Sequence, residues 1–242
     1  MGNVLSIIIA NKDHAPTLAR QLASIKSQTE KFDEVIVIDD GSERDNSKEV
    51  IQKFYDENKD ELNVKIELNY ENKGVVATIN TGFDMSECDY LYFGSADDYL
   101  LPDFAKRHRE IIEKYSPPMV TSDHHLPKQG FCKGLQDMGW YYIPGHCTSF
   151  ERGALLEFGK FIEEFSFKCD WFPLHAIALK YGWHTIRDTL SVKEASGDDS
   201  YSSAVMREGK YPVIQQAMEF HVLNTPLFDD IRNDMLYLIR KP

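Results

Sequence analysis

The sequence predicts an open α/β fold with a mainly parallel sheet flanked by helices. Three observations carry that expectation: short β-branched runs such as LSIIIA and EVIVI, apolar residues at helical spacing between them, and acidic or glycine-bearing turns where the runs stop. Continuous apolar runs suit strands buried on both faces. Sheets of this kind bind ligands in the crevice beyond the carboxyl ends of their strands.

The first expected strand is Leu5 to Ala10. A polar turn from Asn11 to Pro16 follows, and Leu18, Leu22 and Ile25 then mark a helix with Pro16 near its start. Glu34 to Ile38 is the second strand, and it runs straight into Asp39, Asp40, Gly41 and Ser42. That acidic turn suits a ligand at the sheet edge, and it equally suits capping of a helix over Asn46 to Tyr55. Asn63 to Leu68 is a third strand. Asn72, Lys73 and Gly74 lead into a helix with Val75, Ile79 and Phe83 on one side, where Gly74 permits close approach of the backbone to a ligand.

The stretch DYLYFGSADDYLLPDF, Asp89 to Phe104, is the sharpest signal. Its apolar run ends in Gly94, Ser95 and Ala96, then in the adjacent carboxylates Asp97 and Asp98. Two carboxylates at a strand end favour a hard divalent cation such as Mg²⁺ or Mn²⁺, which takes oxygen ligands and in turn attracts a diphosphate. An isolated aspartate pair also caps helices or faces water, so the pair gains meaning only beside the other turns.

Pro117 and Pro118 break the helix that begins near Pro102, and Met119 to Ser122 is a further strand leading to Asp123, His124 and His125. Neighbours on an extended chain face opposite ways, so one of these histidines is expected to be structural or solvated. Residues 126–147, with Trp140, Tyr141, Tyr142 and His146, form either a loop over a site or an aromatic core under a long connection. Glu151 to Gly159 reads as a helix. Asp170 sits near the N-terminus of an amphipathic helix, where capping alone accounts for an aspartate. The tail from Gly209 to Pro242 has helical spacing, suited to packing on the domain, to dimerisation or to contact with a membrane surface.

A formal charge of -12 over 242 residues argues against non-specific nucleic-acid binding and against a broad polybasic membrane patch. The same acidity makes a charge-neutralising metal more necessary for an anionic ligand. The cysteines Cys88, Cys132, Cys147 and Cys169 lack CxxC spacing and follow no secretory signal, so they are expected to be reduced thiols of a cytoplasmic protein without a zinc site. No apolar stretch is long enough to span a bilayer.

With these pieces in place, the chain resembles the family 2 glycosyltransferases of the GT-A fold. The resemblance rests on SIIIANKDHAPTLARQLASIKSQT, EVIVIDDGSERD, NKGVVATINTGF and DYLYFGSADDYLLPDF, with fainter echoes in KCDWFPLHAIALKYGWHTI and GDDSYSS. It implies a Rossmann-like nucleotide-diphospho-sugar transferase domain with a C-terminal helical elaboration on the acceptor side. Residues 1–125 would form the donor-binding half, 126–208 the acceptor and catalytic-base half, and 209–242 a helical tail. Ala10 and Asn11 would contact the nucleotide and Asp40 its base. Asp97 would lie by the ribose, Asp98 would ligate the Mn²⁺ or Mg²⁺ of the donor diphosphate, and Asp170 would be the general base.

The sequence departs from the family pattern at several positions. Ser95 stands for the first acid of the usual Asp-Ala-Asp-Asp, Ile79 for a common arginine and Cys169 for the glutamate before the base, and the usual histidine is missing near Lys193 to Ser200. The resemblance implies inverting, metal-assisted transfer from a nucleotide sugar, a UDP-sugar foremost, to a saccharide or lipid-linked saccharide in bacterial surface-glycan synthesis. The enzyme would be cytoplasmic or peripheral at the inner membrane face. Two other readings are a non-catalytic nucleotide-sugar-binding domain and a nucleotidyltransferase. ANKDHAP lacks the Gly-rich basic loop that the last of these needs.

Overall fold

The computed structural model describes residues 4–126, 130–132, 143, 145–194 and 205–241. Trp140, Tyr141, Tyr142 and the GDDSYSS stretch lie outside the described residues.

The first half alternates strand and helix as expected: β1 (Leu5–Asn11), α1 (Ala15–Lys26), β2 (Glu34–Asp39), α2 (Ser47–Asn58), β3 (Val64–Leu68), α3 (Val75–Met85) and β4 (Tyr90–Ser95). These strands pair in parallel in the order β3, β2, β1, β4. Their two-residue period divides the core between the faces of the sheet. Ile7, Ile9, Val35 and Val37 pack with Leu18, Leu22, Ile51 and Phe54 of α1 and α2. On the other face Ile8, Ile36 and Ile38 pack with Val76 and Phe83 of α3. The absence of a side chain at Gly82 lets α3 lie directly on β1, because a Cβ there would come within 2.3 Å of Ile8 Cγ2.

The second half is less regular. β5 (Tyr99–Leu100) follows the acidic turn, then come α4 (Phe104–Tyr115), β6 (Met119–Leu126), β7 (Gly130–Cys132), β8 (Thr148–Glu151), α5 (Arg152–Glu157), α6 (Trp171–Tyr181) and β9 (His184–Val192). Beyond β4 the sheet continues β8, β6, β9, β5, with β7 beside β6. Here β6 and β9 run parallel while the β4–β8, β6–β8 and β5–β9 pairs are antiparallel. The sequence reading had no strand at β5, β8 or β9, since TSFE and HTIRDTLSV lack a long apolar run. Thr148 and Ser149 are fully buried in β8, hidden by neighbours and not by their own chemistry.

The tail forms α7 (Tyr211–Asn224) and α8 (Arg232–Arg240). Both pack on the domain, where Ile214, Met218, Val222, Met235 and Ile239 join Phe165, Phe172 and Ile177 in one apolar cluster. No helix among the described residues is long and apolar enough to cross a membrane.

Candidate functional site

The carboxyl ends of β1, β2 and β4 and the start of α3 open onto a cavity of about 1050 Å³. Ala10, Asn11, Asp40, Gly74, Asp97, Asp98 and Asp170 all line it. Seven residues drawn from five separated segments therefore share one cavity.

The end of the cavity beside β1 and β2 is a lattice of side chains bonded to one another and to backbone. The Asn11 Nδ2 donates to Asp39 Oδ1 at 2.9 Å and to Ser42 Oγ at 3.3 Å, so its amide ties β1 to the turn after β2. Asp40 accepts from the backbone N–H of Lys73 at 2.7 Å and of Gly74 at 3.0 Å. Each carboxylate oxygen keeps a second lone pair for a ligand. Gly74 is the N-cap of α3 with φ of 91°, a conformation open to glycine and strained for other residues. A Cβ there would meet nothing within 4 Å, so backbone shape and not close contact selects this glycine.

At the acidic turn, Asp97 and Asp98 diverge in surroundings. Asp97 accepts from Ser95 Oγ, and its carbonyl accepts from Arg20 NH2 at 3.1 Å. Asp98 is buried at 3% exposure, and Oδ1 accepts from the Glu194 N–H at 3.1 Å. Burial, and then the charge of Asp97, push the Asp98 carboxyl up to about 8, against the pull of Lys193, the Glu194 N–H and Arg20. Asp98 suits a divalent cation: it is a hard oxygen ligand, and one of its oxygens is left outside the Glu194 bond. A single carboxylate beside diphosphate and water oxygens matches the way Mg²⁺ is held at phosphate sites.

Asp170 lines the same cavity from the N-terminus of α6, where Oδ1 accepts from the Trp171 N–H at 2.7 Å. Burial raises its carboxyl above the usual range, opposed by that backbone bond and by Lys193 and Lys168. Gly145 packs against it so closely that a Cβ there would lie 2.4 Å from Asp170 Oδ2. On the expectation that Asp170 is the general base, substitution to alanine there should turn the carboxylate and lower kcat by about 100-fold, the scale of a 1 Å misplacement, with donor affinity unchanged. Steady-state kinetics beside donor calorimetry checks this, and a kcat matching the wild type would refute it.

Sequence reasoning missed Gly145, Lys168, Lys193 and Glu194, which also line the cavity. Lys193 bears electrostatically on Asp98, Asp170 and His146 alike. Recognising β9 would have found it, because Lys193 is the first residue beyond that strand. Ile79 and Phe161 line an apolar part of the wall. Cys169, beside Asp170, is buried within the α3-side core.

Residues 6–163 match the family described as Glycosyl transferase family 2. The chain belongs to this family. It is 28% identical over 175 residues to the GalNAc(5)-diNAcBac-PP-undecaprenol beta-1,3-glucosyltransferase of Campylobacter jejuni, covering 66% of this chain and 55% of that protein. An uncharacterized glycosyltransferase of Nostoc sp. is 30% identical over 122 residues, covering 50% of this chain and 36% of its own length. The chain thus spans from about a third to about half of these relatives.

Among solved structures, S. aureus TarS 1-349 in complex with UDP-GlcNAc superposes with a TM-score of 0.77 at 20% identity, over 96% of this chain and 70% of that one. The mannosyltransferase PcManGT from Pyrobaculum calidifontis, in complex with GDP-Man and Mn²⁺, gives 0.73 at 19% identity over 97% and 69%. These likenesses show the fold, which is the GT-A arrangement of glycosyltransferases.

Proposed function

We propose that this family 2 glycosyltransferase is an inverting enzyme that moves a sugar from a UDP-sugar to a saccharide or lipid-linked saccharide hydroxyl in bacterial surface-glycan synthesis. The observation that carries the reading is the shared cavity, with Asp98 on the side of the parallel strands and Asp170 on the side of α6. In this reading residues 1–125 bind the donor, 126–208 hold acceptor and base, and 209–242 brace the acceptor half. The neighbours solved with UDP-GlcNAc and with GDP-Man and Mn²⁺ support a nucleotide-sugar donor.

Ala10, Asn11 and Asp40 hold the nucleoside, Gly74 lets the backbone turn beside it, and Asp97 meets the ribose. Asp98 holds Mn²⁺ or Mg²⁺, which when bound neutralises charge on the departing diphosphate. Lys193 adds a fixed positive charge on the same side. Asp170 takes the acceptor proton as the new bond forms, and attack opposite the leaving group inverts the anomeric centre. With a lipid-linked acceptor the protein works at the cytoplasmic membrane face.

A panel of UDP- and GDP-sugars with Mn²⁺ or Mg²⁺ tests this, read as thermal stabilisation and as nucleoside diphosphate release with acceptor. Metal-dependent stabilisation by a UDP-sugar together with UDP release is expected. Ile79 and Cys169, standing for a cation and an acid, favour a second reading as a non-catalytic binder. Stabilisation without release under every acceptor condition would select that second reading, and the absence of any metal-dependent donor binding would refute both.

A further inference from the structure

In the wall of the donor cavity, which His146 itself lines, is a group of side chains that the proposed transfer reaction leaves unused. His124 on β6, His146 and Cys147 in the turn before β8 are all buried, and their ligand-capable atoms lie within 4.8 Å of one another. We infer that these three residues form a site for a borderline-soft transition metal, zinc foremost, which staples β6 to the turn that abuts Asp170.

The donor set decides the class of metal. Two imidazole nitrogens and a sulfur suit Zn²⁺ and poorly suit Mg²⁺ or Mn²⁺, which prefer oxygen. Zinc bonds of about 2.0–2.1 Å to nitrogen and 2.3 Å to sulfur set tetrahedral ligand atoms roughly 3.3–3.6 Å apart. The cluster closes around such an ion through shifts of about 1 Å. The two rings already meet at right angles, with centroids 4.4 Å apart.

An independent observation points to a ligand. Among the described residues nothing hydrogen-bonds His124 Nδ1 or His146 Nε2, although the side chains are only 1% and 9% exposed. Buried polar atoms nearly always find a partner. Both imidazoles are held neutral by burial, with Lys193 adding to the effect, and neutral imidazole is the ligating form. Burial pushes the Cys147 thiol up to about 12, opposed by the Thr121 hydroxyl at 3.7 Å and the Ser122 N–H, so a metal bound there displaces the thiol proton.

The alternation of β6 turns one histidine of the adjacent pair inward: Ser122 and His124 are buried, and Asp123 and His125 are partly exposed. The β6–β9 register shifts at Ser122/Asp123 and again at Asp123/His124. Cysteine spacing hides the site because its ligands come from a strand and from a turn 22 residues further on. Lys193 opposes a cation here, whereas Asp123, whose charge bears on Cys147, favours one.

The staple has a mechanical consequence independent of the donor's identity. The Tyr92 hydroxyl donates to the His146 carbonyl at 2.8 Å, and Gly145 touches Asp170. A metal on His146 and Cys147 therefore fixes the turn that sets the position of Asp170.

The test uses the untagged full chain, stripped with chelator and titrated with Co²⁺ and then Zn²⁺. One equivalent of cobalt should give tetrahedral visible bands and a thiolate-to-cobalt charge-transfer band, displaced by zinc and unchanged in Asp98→Asn. Cys147→Ser should lose the charge-transfer band, and His146→Gln should weaken cobalt binding by about 100-fold or more. Zinc K-edge absorption of the wild type needs no variant, and it should show one sulfur near about 2.3 Å with nitrogen at about 2.0 Å. Absence of the charge-transfer band in the wild type, its survival in Cys147→Ser, or a shell of oxygens alone at the edge would overturn the proposal.

Discussion

Replacing Asp170 by asparagine is expected to lower kcat for sugar transfer by about 10³-fold or more, within the 10²- to 10⁴-fold range that a positioned base supplies, while donor binding stays essentially unchanged. Asparagine keeps the shape of the side chain and a carbonyl oxygen for the Trp171 N–H, so the cap on α6 survives. What disappears is the ability to take a proton. An acceptor hydroxyl loses its proton only as the new bond forms, so the loss falls on kcat and not on donor affinity. The pH profile of the wild type carries the same signature. Burial raises the Asp170 carboxyl, so the active, ionised form is depleted as pH falls through a value above the ordinary carboxylate range. The acidic limb of kcat should accordingly sit higher than for a solvent-exposed aspartate, and it should vanish in the variant. Kinetics from pH 4 to 9 with calorimetry of donor binding check both statements. A variant turning over within tenfold of wild type would move the base elsewhere.

The first half of the chain was legible because its signals are local. LSIIIA and EVIVI each announce a buried strand, and the turns that follow hold the very residues lining the cavity. In the second half of the chain only the place of Asp170 in the cavity was legible. Gly145 and Lys193 gain their places from β8 and β9, whose sequences are too polar or too mixed to announce strands. His124 was visible as a residue but not as a direction, since alternation along an extended chain says that His124 and His125 face opposite ways and not which of them turns inward. Asn11 shows the reverse case. Its place at the end of β1 was legible, but its amide is drawn to Asp39 and Ser42, partners that only the parallel register of β1 and β2 brings alongside. Pattern along the chain thus reveals what each segment is, and pairing between segments determines what each side chain meets.

Asp98→Asn should do two opposite things: stabilise the metal-free protein above neutral pH and abolish metal-dependent donor binding. The Asp98 carboxyl is raised from 3.8 to about 8, with burial the largest cause and Asp97 next. A carboxyl that holds its proton more tightly when folded contributes stability that is fully present below the unfolded value, near pH 4. That contribution drains away as pH rises and is gone above about 8. The full difference between those values caps the loss at roughly 6 kcal/mol, at 1.36 kcal/mol per pH unit. Asparagine is never ionised and still offers an oxygen to the Glu194 N–H, so it escapes the loss. We expect a gain of about 2–4 kcal/mol at pH 8.5 in chelator, seen as a rise in Tm of about 5–10 °C, and about a fifth of that gain at pH 4.5. In the wild type a divalent ion must displace the Asp98 proton. Mn²⁺ affinity in the presence of UDP should therefore climb nearly tenfold per pH unit up to about 8 and then level off. Urea unfolding at the two pH values and manganese titrations across that range decide the matter. Equal stability of variant and wild type at pH 8.5, or manganese affinity independent of pH between 6 and 8, would mean that Asp98 is ionised without a metal and is not the group the ion seeks.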